Sequence, residues 1–174
     1  LETKNPDLVL FNAHTFKDSN NDSHYWNSYT RGLTGEFCAK DKLLSKLIKQ
    51  RGAFASACMY VSRASLWRDH RISFPPIIHE DEAVFFPLVA ASEKTIVLPD
   101  RYFLRRVRSG SIMTRGVDSR NLQGRLHTFF ATANFMISQP EVVERDRDAW
   151  RARLKGSLLG YINCARTTQT PVSW

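Results

Sequence analysis

The chain has 174 residues, 43% hydrophobic and 24% charged, and a formal net charge of +8. That is enough to bury the core of one domain, and the composition is globular rather than disordered. No run approaches the roughly 18 consecutive apolar residues of a membrane-spanning helix.

The charge is unevenly spread. Residues 1–100 carry 12 basic and 12 acidic side chains, residues 101–174 carry 13 and 5. A basic end on a neutral body suits an anionic partner (phosphates, nucleic acid or an acidic membrane surface), and it equally suits a solvated basic face. Cys38, Cys58 and Cys164 lack ligand spacing and fit buried thiols in a reducing compartment, the cytoplasm by default. A chain that opens on Leu1 in strand-like sequence reads as a piece of a longer protein.

In chain order, "PDLVLFNAHTF" (6–16) predicts a buried strand. A polar loop through residue 28 precedes a second extended piece near 30–37. Leu43, Leu44, Leu47 and Ile48 line one face of a helix stopped by Gly52. "FASACMYVS" predicts a strand, and "RASLWRDHRI" a short helix capped by Ser62. The two prolines of "SFPPII" keep that segment extended. A helix restarts at 79–80, with Pro87 predicted to kink or break it. "TIVLP" and "RYFLRRV" read as two strands, and helices divided at Pro140 fill the remainder. The order is α/β with a helical, basic tail over 117–174.

Two constellations carry chemistry. Glu80, Asp81 and Glu82 follow His79 and abut Phe85 and Phe86. Acids in a first helical turn are favoured by the dipole alone. An apolar wall also raises a carboxylate's proton affinity toward that of a general base. One acid then takes a proton while a neighbour positions a hydroxyl or a cation. The adjacent spacing of His79, Glu80 and Asp81 does not suit a metal. In "YFLRRVRSGSIMT", Arg106 and Arg108 alternate along an extended segment before a Gly-Ser turn at 109–111. This reads either as a diphosphate grip or as a solvated basic edge strand. Arg147 and Arg151, in "RDRDAWRARLK", read as a solvated face or a membrane-surface contact, and Asp146 and Asp148 as surface charge.

Taken together, Arg63, Leu66, Ile72, Phe74, Ile78, Glu80, Asp81 and Phe85, followed by Tyr102, Arg106, Arg108, Gly110, Ser111 and Thr114, resemble the second half of the catalytic domain of family 2 glycosyltransferases. The likeness is to the bacterial branch that builds capsule, lipopolysaccharide and teichoic-acid-type glycans, and it spans about residues 5–116. It implies a partial, Rossmann-like GT-A fold over 1–116 and an inverting transfer from a nucleotide-diphosphate sugar to a glycan or lipid-linked acceptor. It implies Asp81 as base, Glu80 as supporting carboxylate, and Arg106, Arg108 and Ser111 at the donor diphosphate. His79 and Trp26 are candidates for acceptor contact. The resemblance further implies Mn²⁺ or Mg²⁺ in the complete enzyme, its ligands mostly in the absent half, since the family's metal-binding Asp-x-Asp has no counterpart here. Alone, the chain is expected to be inactive. A peripheral site on the inner face of the membrane and a homodimer through an open sheet edge are further expectations. The alternative is a basic nucleic-acid- or partner-binding module without catalysis. No helix-turn-helix spacing, zinc ligands or aromatic RNA-binding signature supports nucleic acid.

Overall fold

The structure is a computed structural model that describes residues 5–17, 29–108, 111 and 116–168. Trp26 and Gly110 lie outside the described residues. The chain is a mixed α/β unit around a four-stranded sheet of order β2-β4-β1-β3. Its strands are β1 (Leu8–Lys17), β2 (Gly35–Cys38), β3 (Tyr60–Ser62) and β4 (Lys94–Val107). Its helices are α1 (Leu43–Lys49), α2 (Ala64–Asp69), α3 (Glu80–Ala91), α4 (Ser119–Ser138), α5 (Pro140–Glu144) and α6 (Arg147–Thr168).

The central pair, β1 and β4, is parallel, and both edge strands join it antiparallel. One strand of 14 residues stands where two were expected. Pro99 has no N–H for the ladder, so it sits in an irregularity of the β1–β4 register, between Val97 and Arg101. The Pro99 carbonyl there accepts from Asn12 Nδ2 at 2.7 Å.

Helix α3 likewise continues through Pro87. It is buried from Val84 to Val89, and packing holds the helix where propensity would break it. Leu8, Leu10, Val97, Leu47, Phe85 and Trp150 belong to one core cluster, so the helices after residue 117 share the core of the sheet. "FASACMYVS" forms a 3-10 turn (Ala57–Met59) and only a three-residue strand. The tail forms three helices rather than two.

Two cap expectations are corrected. Arg63, not Ser62, is the N-cap of α2, and the Ser62 hydroxyl accepts from Trp67 Nε1 at 2.7 Å. At the end of α1 the left-handed residue is Arg51 (φ 53°), where a glycine is usual. Arg51 N–H and Gly52 N–H bond the Ile48 and Leu47 carbonyls, completing a Schellman motif. Gly52 is required for another reason: a Cβ there would lie 2.0 Å from the Arg31 carbonyl oxygen. Gly52→Ala is therefore expected to cost on the order of 1–3 kcal/mol, read as a lower melting temperature.

That close approach serves Arg31, which is fully buried. Its guanidinium donates to the carbonyls of Phe11, Gly52, Phe54 and Met59 at 3.0–3.2 Å and lies over the Phe85 ring. Burial lowers its pKa to about 10, with Tyr60 opposing, so it stays charged at neutral pH. Asp146 is also buried, not on the surface. Its carboxylate accepts from Ser45 N–H (2.8 Å) and Ser45 Oγ (2.5 Å), capping the first turn of α1 from 101 residues away.

Candidate functional site

Only two residues separate α3 from β4, so α3 must run back along the sheet. Its N-terminus, with the three acids, therefore lies toward the carboxyl ends of β1 and β4, where open α/β sheets bind ligands. The arginines of β4 lie at that strand's carboxyl end as well. The fold thus directs both constellations toward the same end of the sheet, and Asp81 and Arg105 both act on Tyr29.

His79 holds a left-handed conformation (φ 71°) at the N-cap of α3 and accepts from Glu82 N–H at 3.2 Å. Helix α4 packs close behind it at Gly124, where a Cβ would lie 2.1 Å from the Ile78 carbonyl oxygen. From this turn the three acids diverge. Glu82 points at α4 and α6, accepting from Arg125 Nη1 at 2.5 Å and Arg153 Nη1 at 3.1 Å. Burial pushes its carboxyl up, but Arg125, Arg153 and His79 outweigh that and hold it below the usual carboxylate range. Arg153 also reaches the Glu82 carbonyl and covers the Phe86 ring at 4.1 Å. Arg153 thus departs from the solvated or membrane-facing role expected for its segment: its side chain is 9% exposed. Arg147 and Arg151 are exposed.

Asp81 points elsewhere. It is half-buried beside the sheet, and burial, Glu82 and Glu80 together raise its pKa. Its carboxylate accepts from Glu82 N–H at 2.9 Å. Burial and, next, Asp81 raise the Tyr60 hydroxyl. Burial also raises Tyr29, with Arg105 opposing and Asp81 adding. Arg105 lies over the Tyr29 ring at 5.0 Å. Tyr60 Oη and Arg105 Nη1 are buried with no hydrogen-bond partner among the described residues. Sequence reading passed over Arg105 because it sits on the opposite strand face from Arg106 and Arg108. The signal that could have found it is the period-2 alternation itself, which turns Arg105 inward.

Arg106 and Arg108 are exposed on one face of the β4 end, and Ser111 is half-buried just beyond. His79 is drawn into the Glu82 pair, Nδ1 to Oε1 at 3.7 Å. Burial and then Arg125 hold its imidazole below its ordinary value, against the pull of Glu82 and Glu80. Among the described residues no three His, Cys, Asp or Glu side chains are grouped to hold a metal ion.

No family model matches the sequence. No curated protein matches it either. Among solved structures, the chain is similar to Staphylococcus aureus TarS residues 1–349, in complex with UDP-GlcNAc, at 14% identity and a TM-score of 0.52. The match covers 96% of this chain and 53% of that one, so the chain spans about half the length of the neighbour. The class defined is a mixed α/β chain with the fold of part of a glycosyltransferase domain.

Proposed function

We propose that the chain is the base-bearing part of an inverting glycosyltransferase that moves a sugar from a nucleotide-diphosphate donor to an acceptor hydroxyl in bacterial surface polysaccharide synthesis. The observation that carries this is the corner around Asp81: the carboxylate, its proton affinity raised by burial, acts on Tyr60 and Tyr29, and Tyr60 Oη and the Arg105 Nη1 over Tyr29 are buried with no hydrogen-bond partner among the described residues. Such atoms are costly unless a ligand completes them.

Asp81 accepts the acceptor's proton. The freed oxygen attacks the anomeric carbon, and the bond from that carbon to the diphosphate oxygen breaks with its electron pair. Arg106, Arg108 and Ser111 receive the diphosphate as its charge develops, while Arg105, on the opposite strand face, stays over Tyr29 at the Asp81 corner. Glu80 supports the base, and His79 and Trp26 belong to the acceptor side. The neighbour's bound UDP-GlcNAc supports a UDP-linked donor. A divalent cation, Mn²⁺ or Mg²⁺, belongs to this reading only for a longer chain that supplies its ligands.

The reading includes a cytoplasmic, peripheral position. No helix among the described residues is long and apolar enough to cross a membrane. Helix α6 exposes Leu158 and Leu159 near Lys155 and Arg151, a mixture suited to an anionic surface.

The test is thermal melting of the chain with UDP-GlcNAc and Mn²⁺. A ligand at a hundredfold its Kd adds about 2.7 kcal/mol, or a rise of roughly 5–11 °C for this size. Arg106→Ala is expected to abolish most of that rise. A melting temperature unmoved by millimolar donor contradicts a donor grip within this chain.

A further inference from the structure

Helix α3 begins without the usual fastening. Its N-cap, His79, is left-handed and gives the first turn no side-chain hydrogen bond. The first N–H groups of a helix have no intrahelical partner, and an uncapped first turn frays readily. Asp81 is the second residue of that turn. The proposed base thus stands on the part of α3 least able to hold itself.

What holds it comes from α4 and α6. Gly124 brings α4 against Ile78 and His79. Arg153 reaches in from α6 and grips Glu82 twice: Nη1 donates to its carboxylate at 3.1 Å and Nη2 to its carbonyl at 3.3 Å. Arg125 Nη1 takes the other carboxylate oxygen at 2.5 Å. Glu82 in turn donates its N–H to the His79 carbonyl at 3.2 Å and to Asp81 Oδ1 at 2.9 Å. A line of contacts therefore runs from α6 through Glu82 to the Asp81 carboxylate.

Stability alone does not explain an arginine at 153. Its Nε is buried with no hydrogen-bond partner among the described residues. An apolar side chain packed on Phe86 would avoid that penalty. What a guanidinium adds is a planar fork that meets a carboxylate and a carbonyl at once.

We propose that Arg153 is a positioning residue for Asp81: it fixes Glu82 by carboxylate and carbonyl together, and the Glu82 N–H then holds the Asp81 carboxylate in place. Its bearing on catalysis rests on the transferase reading; the grip itself does not. The surrounding charges give the grip a titration signature. Burial, then Glu82, then Glu80 raise Asp81. Tyr60 of β3 and Tyr29 respond to it, with Arg105 of β4 over the Tyr29 ring, and Arg153 lies within its field from α6. Glu82 faces Arg125, Arg153 and His79 and is held low, so the two carboxylates titrate apart and can be followed separately.

The experiment is carboxyl and amide NMR of the chain across pH, on wild type, Arg153→Met, Arg153→Lys and Glu82→Gln. In wild type the Glu82 amide proton is expected to shift as Asp81 ionises, because a charged acceptor strengthens its hydrogen bond. Arg153→Met leaves Glu82 paired with Arg125 and removes the buried Nε, so it is expected to fold. It should lose most of that amide shift. Arg153→Lys keeps a cation without the fork and should lose it likewise. Glu82→Gln should move the Asp81 midpoint to lower pH, since an opposing negative charge is gone.

An amide shift that Arg153→Met or Arg153→Lys leaves at its wild-type size overturns the proposal, whatever happens to melting. So does an Asp81 midpoint that a folded Glu82→Gln leaves unmoved. In a longer chain that transfers sugar, Arg153→Met is expected to lower kcat by up to about 100-fold, the scale of a misplaced catalytic group. The two readings fail separately. Transfer lost in Asp81→Asn, with the amide shift untouched by Arg153→Met, removes the grip and leaves the base. Transfer indifferent to Asp81→Asn, with the amide shift lost in both Arg153 variants, removes the base and leaves the grip.

Discussion

Glu82→Gln is expected to lower stability by about 3–5 kcal/mol, the usual loss when a buried ion pair keeps one partner. Two cations depend on that carboxylate, Arg125 at 2.5 Å and Arg153 at 3.1 Å, and Arg153 has almost no solvent to turn to. The amide is nearly the same shape, so the effect isolates charge rather than volume. At about 2–4 °C per kcal/mol for a chain of this size, the melting temperature should fall by roughly 6–20 °C. Its pH dependence has a definite sign. The folded pKa of Glu82 is depressed, so its stabilisation is fully present above the ordinary carboxylate value and is lost as pH falls through the folded value. The gap between wild type and variant should therefore close in acid. Replacing Glu82 and Arg153 together by Met should recover much of the loss, because the most buried cation is then gone and Arg125, 30% exposed, can turn to solvent. A gap under about 1 kcal/mol at neutral pH would show that the helices after residue 117 are not held by this pair.

Asp81→Asn should have the opposite thermal signature and the larger functional one. Burial and two neighbouring carboxylates disfavour its charge, so the neutral amide relieves repulsion and should melt no lower than wild type at pH 7. For an acid with a raised folded pKa the penalty is present at high pH and disappears as pH falls through that value toward the ordinary one. Any thermal gain of the variant should fade over that interval. Transfer should drop by 10²–10⁴-fold, the range for a lost general base. Stability conserved or gained while function is lost distinguishes a site residue from a structural one.

Much of this was legible in the residues. The continuous apolar run at Leu8–Leu10 found β1, and the spacing of Leu43, Leu44 and Leu47 found α1, because burial was local in each case. The start of α3 was legible from three acids after an extended Pro-Pro segment. What escaped depended on partners far along the chain. Asp146 reads as surface charge until Ser45, 101 residues earlier, is seen to meet it. Arg153 reads as solvated until Glu82 claims it. The acids looked like a set, but α3 turns them about 100° apart per residue, so Glu82 serves the fold while Asp81 faces the tyrosines. Pro87 looked like a breaker, since sequence cannot show that packing on every side outweighs one missing hydrogen bond.

The most direct measurement is sugar transfer from UDP-GlcNAc to an oligosaccharide acceptor by a longer chain that supplies the metal ligands, with Asp81 and with Asp81→Asn, beside the melting temperature of each. A fall of at least a hundredfold in transfer, with melting unchanged or raised, is the result expected of a base at Asp81. Transfer retained by the variant, or transfer lost together with a lower melting temperature, would contradict it.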